Sequence, residues 1–415
     1  MALISVQEAE QIILAAAQPL SSSRDREMLS LSQALGRILA QPVTSQLDFP
    51  HWDNSAMDGY AVRYADVQHS RADQPVCLEI VEQIAAGYQP QHPVGPGQAA
   101  RILTGAVMPA GADTVVMQED TTREGDRVWI CTAPRPQAFV RHRAAYYQAG
   151  ETLLPAGMRL GGPEMAVLAA AQSQKILVYR QPRVAMLSTG SELVGIDHPL
   201  QPGQIVDSNQ YALTALVAAE GAVPQVTGRV ADDPVALSRA IAGAVATADV
   251  VLSSGGVSVG DSDYVEQVLT DLGAKLAIRS VAIKPGKPLT FATLERQQAS
   301  PVLYFGLPGN PASALVTFWR FVLPALRKIS GLKTGWNLPI VQAQTRQPLR
   351  SDRQRATYLW GRLHLSQGQY EFELAGGSHS SGNLINLAGT NALAVLPVGE
   401  FQFAAGDWLP VMQVR

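Results

Sequence analysis

The chain has 415 residues, of which 47% are hydrophobic and 16% are charged, so it can bury real cores and extensive disorder is excluded. Its formal net charge is −3, which does not indicate a broad basic surface for nucleic acid. No uncharged apolar run is long enough to cross a membrane, and the first residues carry Glu8 and Glu10 without an early Lys or Arg, so we expect a cytoplasmic protein without a signal peptide. Cys77 and Cys131 make no disulfide framework and are expected to be small core residues.

The first elements in the chain are predicted to be helices, followed by a small β-domain. Ser5 and Glu8 fit a capping box before a helical apolar pattern, and Leu31–Ala40 fits a second short helix. From about residue 46 to 146, short apolar stretches alternate with Gly, Pro, Asn and Asp turns, which indicates strands. The stretches are Val76–Ile84, Arg101–Leu103, Thr114–Met117 and Arg127–Ile130.

The hydrophobic pattern changes twice in the second half of the chain. Residues 150–180 return to a helical pattern, and from 183 to 330 apolar runs alternate with helix-like sequence. The runs Val184–Leu187, Ala248–Leu252 and Val302–Phe305 therefore predict a doubly wound α/β domain with a mainly parallel sheet. Beyond residue 331, short stretches such as Ala392–Leu396 and Trp408–Val411 predict a compact β-domain.

Three turns rich in Gly, Ser or Pro follow the apolar runs of the α/β domain. They read STGSEL at 188–193, SSGGVSVGD at 253–261 and GLPGNPA at 306–312. One such turn alone is usually no more than a turn. Three in one parallel sheet would meet at its carboxyl edge, where glycines let backbone N–H groups approach an anion. The sequence therefore predicts an anion-binding crevice.

Charged residues complete this crevice. In the loop KPGKP, Lys284 and Lys287 are close enough to converge on one oxyanion, although two solvated lysines are the alternative. Glu192, Asp261 and Asp263 lie in or just after the turns, and carboxylates beside phosphate-binding loops commonly hold Mg²⁺. Some nearby acids have a second interpretation. Asp232 or Asp233 is either a site residue or a helix cap, and for Asp207 we favour the cap.

Other chemical signatures are missing or ambiguous in the sequence. There is no G-x-x-x-x-G-K-[ST] motif for a Walker-type phosphate loop and no H-E-x-x-H motif for zinc. Within the β-domain, DNSAMDGYA at 53–61 and RILTGA at 101–106 are either tight structural turns or parts of a site.

Together these motifs resemble one protein family. DNSAMDGYA, RILTGA, STGSEL, DSN at 207–209, SSGGVSVGD, KPGKP and GLPGNPASA occur here in the order and spacing of the molybdopterin molybdenumtransferases, the family of bacterial MoeA and the gephyrin E-domain. The resemblance covers almost the whole chain. It implies insertion of molybdenum from molybdate into adenylylated molybdopterin with Mg²⁺, releasing molybdenum cofactor and AMP.

The resemblance also implies an architecture. It predicts a discontinuous helical linker domain (1–45 and 147–180), a β-rich domain (46–146), a central α/β molybdopterin-binding domain (181–330) and a C-terminal β-barrel (331–415). Members are homodimers, and the implied partners are a molybdopterin adenylyltransferase and molybdoenzyme apoproteins, without nucleic acid or membrane.

The family's functional residues map onto this sequence one by one. The implied catalytic acids are Asp58, Glu192, Asp232 and Asp263, of which Glu192 and Asp263 would hold Mg²⁺. The implied molybdate ligands are Lys284, Lys287, Arg355 and Ser378. The substrate-binding candidates, from the turns and the resemblance together, are Thr104, Ser188, Gly190, Ser191, Ser253, Gly255, Gly256, Ser258, Lys284, Lys287, Pro308, Asn310 and Pro311.

Two positions depart from the family's pattern. Tyr146 stands where the family has a functional Asp, and Trp360 stands where it tends to have Arg. Tyr cannot supply the negative charge of Asp, because its unperturbed pKa is near 10. Either that Asp acts directly and this chain is a slow enzyme, or it orients the loop and Tyr146 replaces it by packing, which we favour.

Two other functions use some of the same motifs. STGSEL and GGVSVGD also resemble the molybdopterin adenylyltransferase domain, but the additional domains at 1–180 and 331–415 argue against that step. A non-catalytic scaffold of the gephyrin type is the third possibility. It would have no need of Asp58, Glu192, Asp263, Lys284 and Lys287, so we favour the enzyme.

Overall fold

The structure is a computed structural model that describes residues 3–231, 233–255, 262–296 and 299–415, without the side chains of residues 262, 263 and 299. The α-helices are α1 Val6–Ala16, α2 Tyr64–Val67, α3 Gly162–Ala170, α4 Ser208–Ala219, α5 Pro234–Thr247, α6 Ser262–Asp271, α7 Pro311–Thr317 and α8 Leu323–Ile329. A π-helical turn, Phe318–Val322, joins α7 to α8.

The strands follow the chain in this order: β1 Arg26–Ser30, β2 Val43–Thr44, β3 Asn54–Ser55, β4 Gly59–Val62, β5 Val76–Ile84, β6 Gln98–Ile102, β7 Thr114–Met117, β8 Thr121–Glu124, β9 Arg127–Ile130, β10 Val140–Arg141, β11 Thr152–Leu154, β12 Lys175–Tyr179, β13 Arg183–Thr189, β14 Leu193–Val194, β15 Ile205–Val206, β16 Val223–Val230, β17 Val250–Ser254, β18 Lys275–Ser280, β19 Ile283–Lys284, β20 Pro288–Arg296, β21 Ala299–Leu307, β22 Ile340–Thr345, β23 Leu349–Arg350, β24 Ala356–Ser366, β25 Gln369–Leu374, β26 Ala392–Leu396, β27 Gln402–Phe403 and β28 Trp408–Gln413.

The chain divides into two compact units. The first comprises Met1–Gln41, Ala156–Ala166 and Gln174–Arg415, and the second comprises Pro42–Pro155 and Val167–Ser173. The four predicted domain ranges stay predictions, because this division by contacts does not separate the α/β and C-terminal parts of the first unit.

The second unit contains the predicted β-rich sheet. Its strand order is β7-β4-β6-β5-β9-β8. Side chains such as Val62, Leu78 and Val128 are fully buried on this sheet, because alternating apolar residues of each strand face the same core. Three of the predicted apolar stretches match β5, β7 and β9 residue for residue, and the fourth overlaps β6.

The first unit contains a doubly wound α/β domain, as predicted. Its sheet has the order β16-β13-β17-β21-β20-β18, in which the first four strands are parallel. The last two strands pair antiparallel, so the sheet is mixed. One face is covered by α4 and α7 and the other by α5 and α6, since their apolar residues belong to two separate cores. Buried on both faces, β17 consists only of buried residues.

The C-terminal part of the first unit forms the predicted β-barrel. Strands β24, β25, β22, β28 and β26 pair in that order, and β26 pairs again with β24, which closes the barrel. The short strand β19 adds to β24 in parallel, through Ile283 with Ala356 and Lys284 with Thr357. This pair attaches the KPGKP loop of the α/β domain to the barrel.

Several local predictions can be checked directly. The side chains of Ser5 and Asp207 accept hydrogen bonds from Glu8 and Gln210 N–H, which confirms these two predicted helix caps. Asp233, for which a cap was one of two interpretations, accepts from Ala236 N–H and caps α5. Among the residues that the structure describes, no helix is long and apolar enough to cross a membrane.

Two local predictions were wrong. The second helix, Leu31–Ala40, is a single 3-10 turn over Leu31–Gln33 followed by irregular chain. Gly36 has φ of +78° there, a conformation that ends helices. Cys77 is exposed and Cys131 half-buried rather than core residues, because Cys77 lies on β5, whose alternate residues face the core, and Cys131 lies just beyond the end of β9.

A buried ion-pair cluster fixes the start of the central strands. Asp249, immediately before β17, is 5% exposed and accepts two hydrogen bonds from Arg180, at 2.7 and 2.9 Å, and one from Arg183 N–H at 2.8 Å. Arg296 is 3.4 Å away. Burial by itself would raise the pKa of Asp249, but these hydrogen bonds and the charges of Arg180 and Arg296 outweigh it, so the pKa is lowered.

We predict that Asp249→Asn lowers the free energy of unfolding by roughly 3 kcal/mol at pH 7, because it removes the buried carboxylate from Arg296 and leaves Arg180 with Asp25 alone. Urea denaturation followed by circular dichroism measures this. The matched control is Glu295→Gln, which breaks an exposed pair with Lys275 and should cost about 0.5 kcal/mol or less.

The difference in stability between wild type and Asp249→Asn should depend on pH. A carboxyl whose pKa is lowered on folding stabilises the fold above its unfolded pKa, near 3.9, and loses this contribution as pH falls further. The advantage of wild type over Asp249→Asn should therefore be constant from pH 7 to 5 and shrink below about pH 4. A constant difference down to pH 2 would contradict the ion-pair explanation.

Candidate functional site

The first unit has a large cavity at the carboxyl edge of its parallel strands. Its volume is about 1080 Å³. The wall includes residues from the turns after β13, β17 and β21, from the KPGKP loop, from the start of α4, and from β24 and the Gly/Ser turn at 376–382 of the barrel. The predicted site residues in this wall are Gly190, Glu192, Gly255, Lys284, Lys287, Pro308, Asn310, Pro311 and Arg355.

Two glycines shape the floor of the cavity. Gly255 has φ of +89°, and a Cβ atom there would lie 2.1 Å from the backbone oxygen of Thr189. Gly190 has φ of +146°, and a Cβ atom there would lie 2.7 Å from Glu192 Oε2. Gly255 requires glycine, because the turn after β17 approaches the end of β13 closely, whereas at Gly190 the positive φ favours glycine and the near atom belongs to the flexible side chain of Glu192.

Three cations line one part of the wall. Lys284 and Arg355 both donate to Asp352 Oδ2, over 3.3 and 3.1 Å, and Lys287 is exposed. The pKa of Asp352 is lowered to about 2, first by the backbone N–H of Gln354, which outweighs the opposing effect of burial, and further by Arg355 and Lys284. Asp352 therefore stays ionised and holds two of the predicted molybdate ligands together.

Asp352 was missed by the sequence analysis. Its spacing of three residues before Arg355 was the available signal, but the pairing with Lys284, 68 residues away, depends on the β19–β24 ladder.

Nine predicted site residues line this wall in the described part of the chain, and Glu192 is the one among them that carries a carboxylate. It is exposed in the turn after β13, and its backbone oxygen accepts the N–H of Ile205 at 2.9 Å. Asp232, Gly256, Ser258 and Asp261 lie outside the described residues, as does the side chain of Asp263, which is the second residue of α6. Within the described part of the chain, no three His, Cys, Asp or Glu side chains form a metal-binding group.

Several predicted serines do not line the cavity. Ser188 is 3% exposed inside β13, and Ser253 is 1% exposed with its hydroxyl 2.6 Å from that of Tyr304. Burial raises the pKa of Tyr304 to about 12 despite this hydrogen bond. These side chains are core groups, because side chains within a strand point to the two faces of the sheet and not along the strand toward the loops. Ser191 is exposed in its turn but does not line the wall.

Ser378 organises the Gly/Ser turn of the barrel instead of lining the cavity. Its hydroxyl accepts the N–H of Ser380 at 3.2 Å, and its carbonyl accepts from Asn383 and Asn386 at 2.8 and 2.9 Å. Its neighbours His379, Ser380 and Ser381 line the wall in its place.

Trp360, a departure from the family's pattern, supports this turn. It is 1% exposed, donates from Nε1 to Asn386 at 2.9 Å, and packs on His379 with ring centres 4.7 Å apart. His379 Nε2 donates to the carbonyl oxygen of Ala375 at 2.7 Å, since that oxygen only accepts. The indole of Trp360 therefore positions His379 and the Gly/Ser turn.

Two predicted site residues meet in the second unit. Asp58 Oδ1 accepts both the N–H and the hydroxyl of Thr104, each at 2.7 Å. These two hydrogen bonds, and more weakly the charge of Arg101, lower the pKa of Asp58 against a smaller effect of burial. The motifs DNSAMDGYA and RILTGA thus form one exposed polar site with an ionised carboxylate.

Tyr146 lies elsewhere in the second unit. It is 62% exposed, and its ring is 5.8 Å from that of Phe49. Its N–H donates to the carbonyl oxygen of Phe49 at 2.9 Å. The packing role that we favoured for Tyr146 remains a prediction.

Comparisons with known proteins cover the whole chain. Residues 4–171 match the MoeA N-terminal region (domain I and II), residues 185–328 match the probable molybdopterin binding domain, and residues 342–414 match the MoeA C-terminal region (domain IV). The molybdopterin molybdenumtransferase of Nostoc sp. is 60% identical over 99% of this chain and 94% of its own. The protein of that name from Haemophilus influenzae is 34% identical over 93% of each chain.

A solved structure agrees with these sequence matches. The molybdopterin biosynthesis MoeA protein from Pyrococcus horikoshii has a TM-score of 0.84 and 27% identity, covering 99% of this chain and all of its own. The order of motifs, the doubly wound domain, the closed barrel and the full-length identity lead to the same conclusion. This chain belongs to the molybdopterin molybdenumtransferase (MoeA) family.

Proposed function

We propose that this chain transfers molybdenum from molybdate to adenylylated molybdopterin and releases molybdenum cofactor and AMP. The observation that carries the proposal is the cavity, in which Lys284, Lys287 and Arg355 line the same wall as Glu192 and the Gly-rich turns. A substrate with phosphate groups and an oxyanion needs positive charge, backbone N–H groups and a carboxylate for a cation in one place.

The three cations suit molybdate. A tetrahedral dianion is bound best by charged donors, and Arg and Lys form shorter and stronger hydrogen bonds to it than neutral groups do. Asp352 keeps Lys284 and Arg355 on one carboxylate oxygen, so the two donors are preorganised before the oxyanion arrives. In the bound state the oxyanion would accept hydrogen bonds from the N–H groups of Lys284 and Arg355 that do not bind Asp352.

The exposed carboxylate of Glu192 fits a Mg²⁺ ion. Mg²⁺ is commonly held by one or two carboxylates, with its remaining ligands from substrate phosphates and water. Glu192 would be one such ligand, and the sequence proposes Asp263 as the second. When bound, the ion would neutralise charge on the phosphate groups.

We predict that Glu192→Gln reduces cofactor formation roughly 100-fold, because an amide is a poor ligand for Mg²⁺. Cofactor assembly in vitro from adenylylated molybdopterin, molybdate and Mg²⁺ measures it. The control is Glu295→Gln, the same change at an exposed residue near the end of β20 in the same domain, which should leave the rate unchanged. Wild-type activity of Glu192→Gln would remove this carboxylate from the reaction.

A second prediction concerns Asp352. We expect Asp352→Ala to raise the KM for molybdate about tenfold while kcat changes about twofold or less, because Lys284 and Arg355 lose the anion that orients them. Glu400→Ala is the control, since it removes a nearby exposed carboxylate that pairs only with Arg353 among the described ion pairs. A lower KM would mean that Asp352 merely competes with molybdate for the cations.

We also propose that the chain acts as a cytoplasmic homodimer in which each active site takes the cavity of one subunit and the Asp58–Thr104 site of the other. It would receive its substrate from a molybdopterin adenylyltransferase and pass its product to molybdoenzyme apoproteins. The family resemblance supports this arrangement, because Asp58 and Thr104 carry the family's second-domain pattern.

The shared site has a direct test. Asp58→Ala and Lys287→Ala homodimers should each be inactive, whereas a heterodimer of the two chains should regain up to about half of wild-type activity, because one of its two sites is intact. Differently tagged chains allow the heterodimer to be purified before the assay. A verified heterodimer without activity would contradict a site shared between subunits.

A further inference from the structure

One side chain of α4 holds the turn that follows β21. Asn209, the second residue of α4, is 7% exposed, and its Nδ2 donates to the backbone oxygen of Gly309 at 2.8 Å. A carbonyl oxygen only accepts, so this contact fixes which end of the amide faces the turn. The segment GLPGNP at 306–311, here called the GLPGNP turn, is thereby tied to a helix 100 residues earlier in the chain.

The GLPGNP turn also lies against the other Gly-rich turns. A Cβ atom at Gly309 would lie 3.7 Å from the Cα atom of Gly255, and a Cβ atom at Gly255 would lie 2.1 Å from the backbone oxygen of Thr189. The turn after β17 therefore lies between the turns after β13 and β21. Since α4 follows the turn after β13 in the chain, the hydrogen bond from Asn209 links the helix of the first turn to the third turn.

The barrel holds the GLPGNP turn from the other side. Asn310 Nδ2 donates to Ser381 Oγ at 3.0 Å, and the N–H of Ala312 donates to the carbonyl oxygen of Ser381 at 3.1 Å. Between these two attachments the turn contributes Pro308, Asn310 and Pro311 to the cavity wall. A shift of the turn would therefore move this part of the wall.

Stability alone does not account for the amide of Asn209. Its Oδ1 is buried without a hydrogen-bond partner. An unpaired buried oxygen destabilises the fold, so it offsets the stabilising effect of the hydrogen bond from Nδ2. The position in which Asn209 holds the GLPGNP turn is the better explanation for a buried amide here.

We propose that Asn209 is a positioning residue for the transfer of molybdenum, which fixes the GLPGNP turn where it contacts the adenylylated substrate. This inference rests on the proposed function and adds a residue that acts through the turn. Lys284 and Arg355, which suit molybdate, are held instead by Asp352 and the β19–β24 pairing. Loss of the contact from Asn209 should therefore weaken the binding of one substrate and spare the other.

The test removes the amide in the full-length protein. Asn209→Ala deletes the donor, and Ala is well accepted in a helix, so α4 should form. The matched control is Asn391→Ala in the barrel, where Nδ2 donates to the carbonyl oxygen of Leu363 at 3.1 Å and Oδ1 accepts its N–H at 2.7 Å, away from the cavity wall. Asn209→Leu replaces Asn209→Ala if thermal unfolding shows that the alanine variant is not folded.

We expect Asn209→Ala to raise the KM for adenylylated molybdopterin about tenfold, with the KM for molybdate and kcat within about twofold of wild type. The amide hydrogens of Gly309, Asn310 and Ala312 should exchange about tenfold faster, because the turn loses its attachment to α4. Asn391→Ala removes two hydrogen bonds, so it should lower the thermal midpoint while leaving both KM values and this exchange unchanged. The assembly assay and hydrogen exchange followed by mass spectrometry measure these effects.

Several outcomes would overturn the assignment. They are a folded Asn209 variant with the wild-type KM for adenylylated molybdopterin, an equal rise of both KM values, and a selective rise in Asn391→Ala as well. A selective rise without faster exchange would mean that Asn209 contacts the substrate directly, and failure of both Asn209 variants to fold would leave it a role in stability alone.

The proposed function and this inference can fail separately. If wild type forms cofactor in the assembly assay, each of the outcomes above rejects the positioning role while the proposed function stands. A wild type that forms no cofactor, with exchange at Gly309 that still responds to Asn209→Ala, would reject the proposed function and leave only the attachment of the turn.

Discussion

The parallel register of β13, β17 and β21 is the constraint on which the rest of the site depends. Ser188 is paired with Ser254, and Ser254 with Leu307, so the three strands end side by side and their turns begin at the same edge. The turns can then pack closely only where a side chain is missing, as at Gly255 against Thr189. The Asp249 cluster lies at the other end of β13 and β17, where Arg180 and the N–H of Arg183 bind the carboxylate that precedes β17.

A second, shorter strand pairing places positive charge in the wall of the cavity. The two-residue strand β19 adds to β24 of the barrel, and this pairing places Lys284 within reach of Asp352 and Arg355. The α/β domain alone would present two lysines on a loop. With the barrel, the same loop becomes one side of a cavity whose cations share an ionised carboxylate.

Buried polar groups in this region differ in whether the protein supplies them with a hydrogen-bond partner. The hydroxyl of Ser253 is satisfied by Tyr304 within the protein and needs nothing from outside. Thr189, Asp207 and Asn209 are buried to a similar degree, yet each keeps a polar atom without a partner. The distinction depends on hydrogen-bond partners and not on residue type.

The sequence by itself determined the order of the main elements, the strand-to-helix turns and the helix caps at Ser5 and Asp207. Local periodicity and turn chemistry encode these features within a few residues. It failed where tertiary contacts override local preference, as in the irregular chain after Leu31–Gln33 and at Cys77. Only the tertiary structure decided that Ser188 and Ser253 face the core, that Asp352 joins Lys284 to Arg355, and that Asp207 carries an unsatisfied oxygen beyond its cap. The physical reason is that each of these outcomes depends on a partner 50 or more residues away or on the geometry of a cavity wall, and neither is written in local sequence.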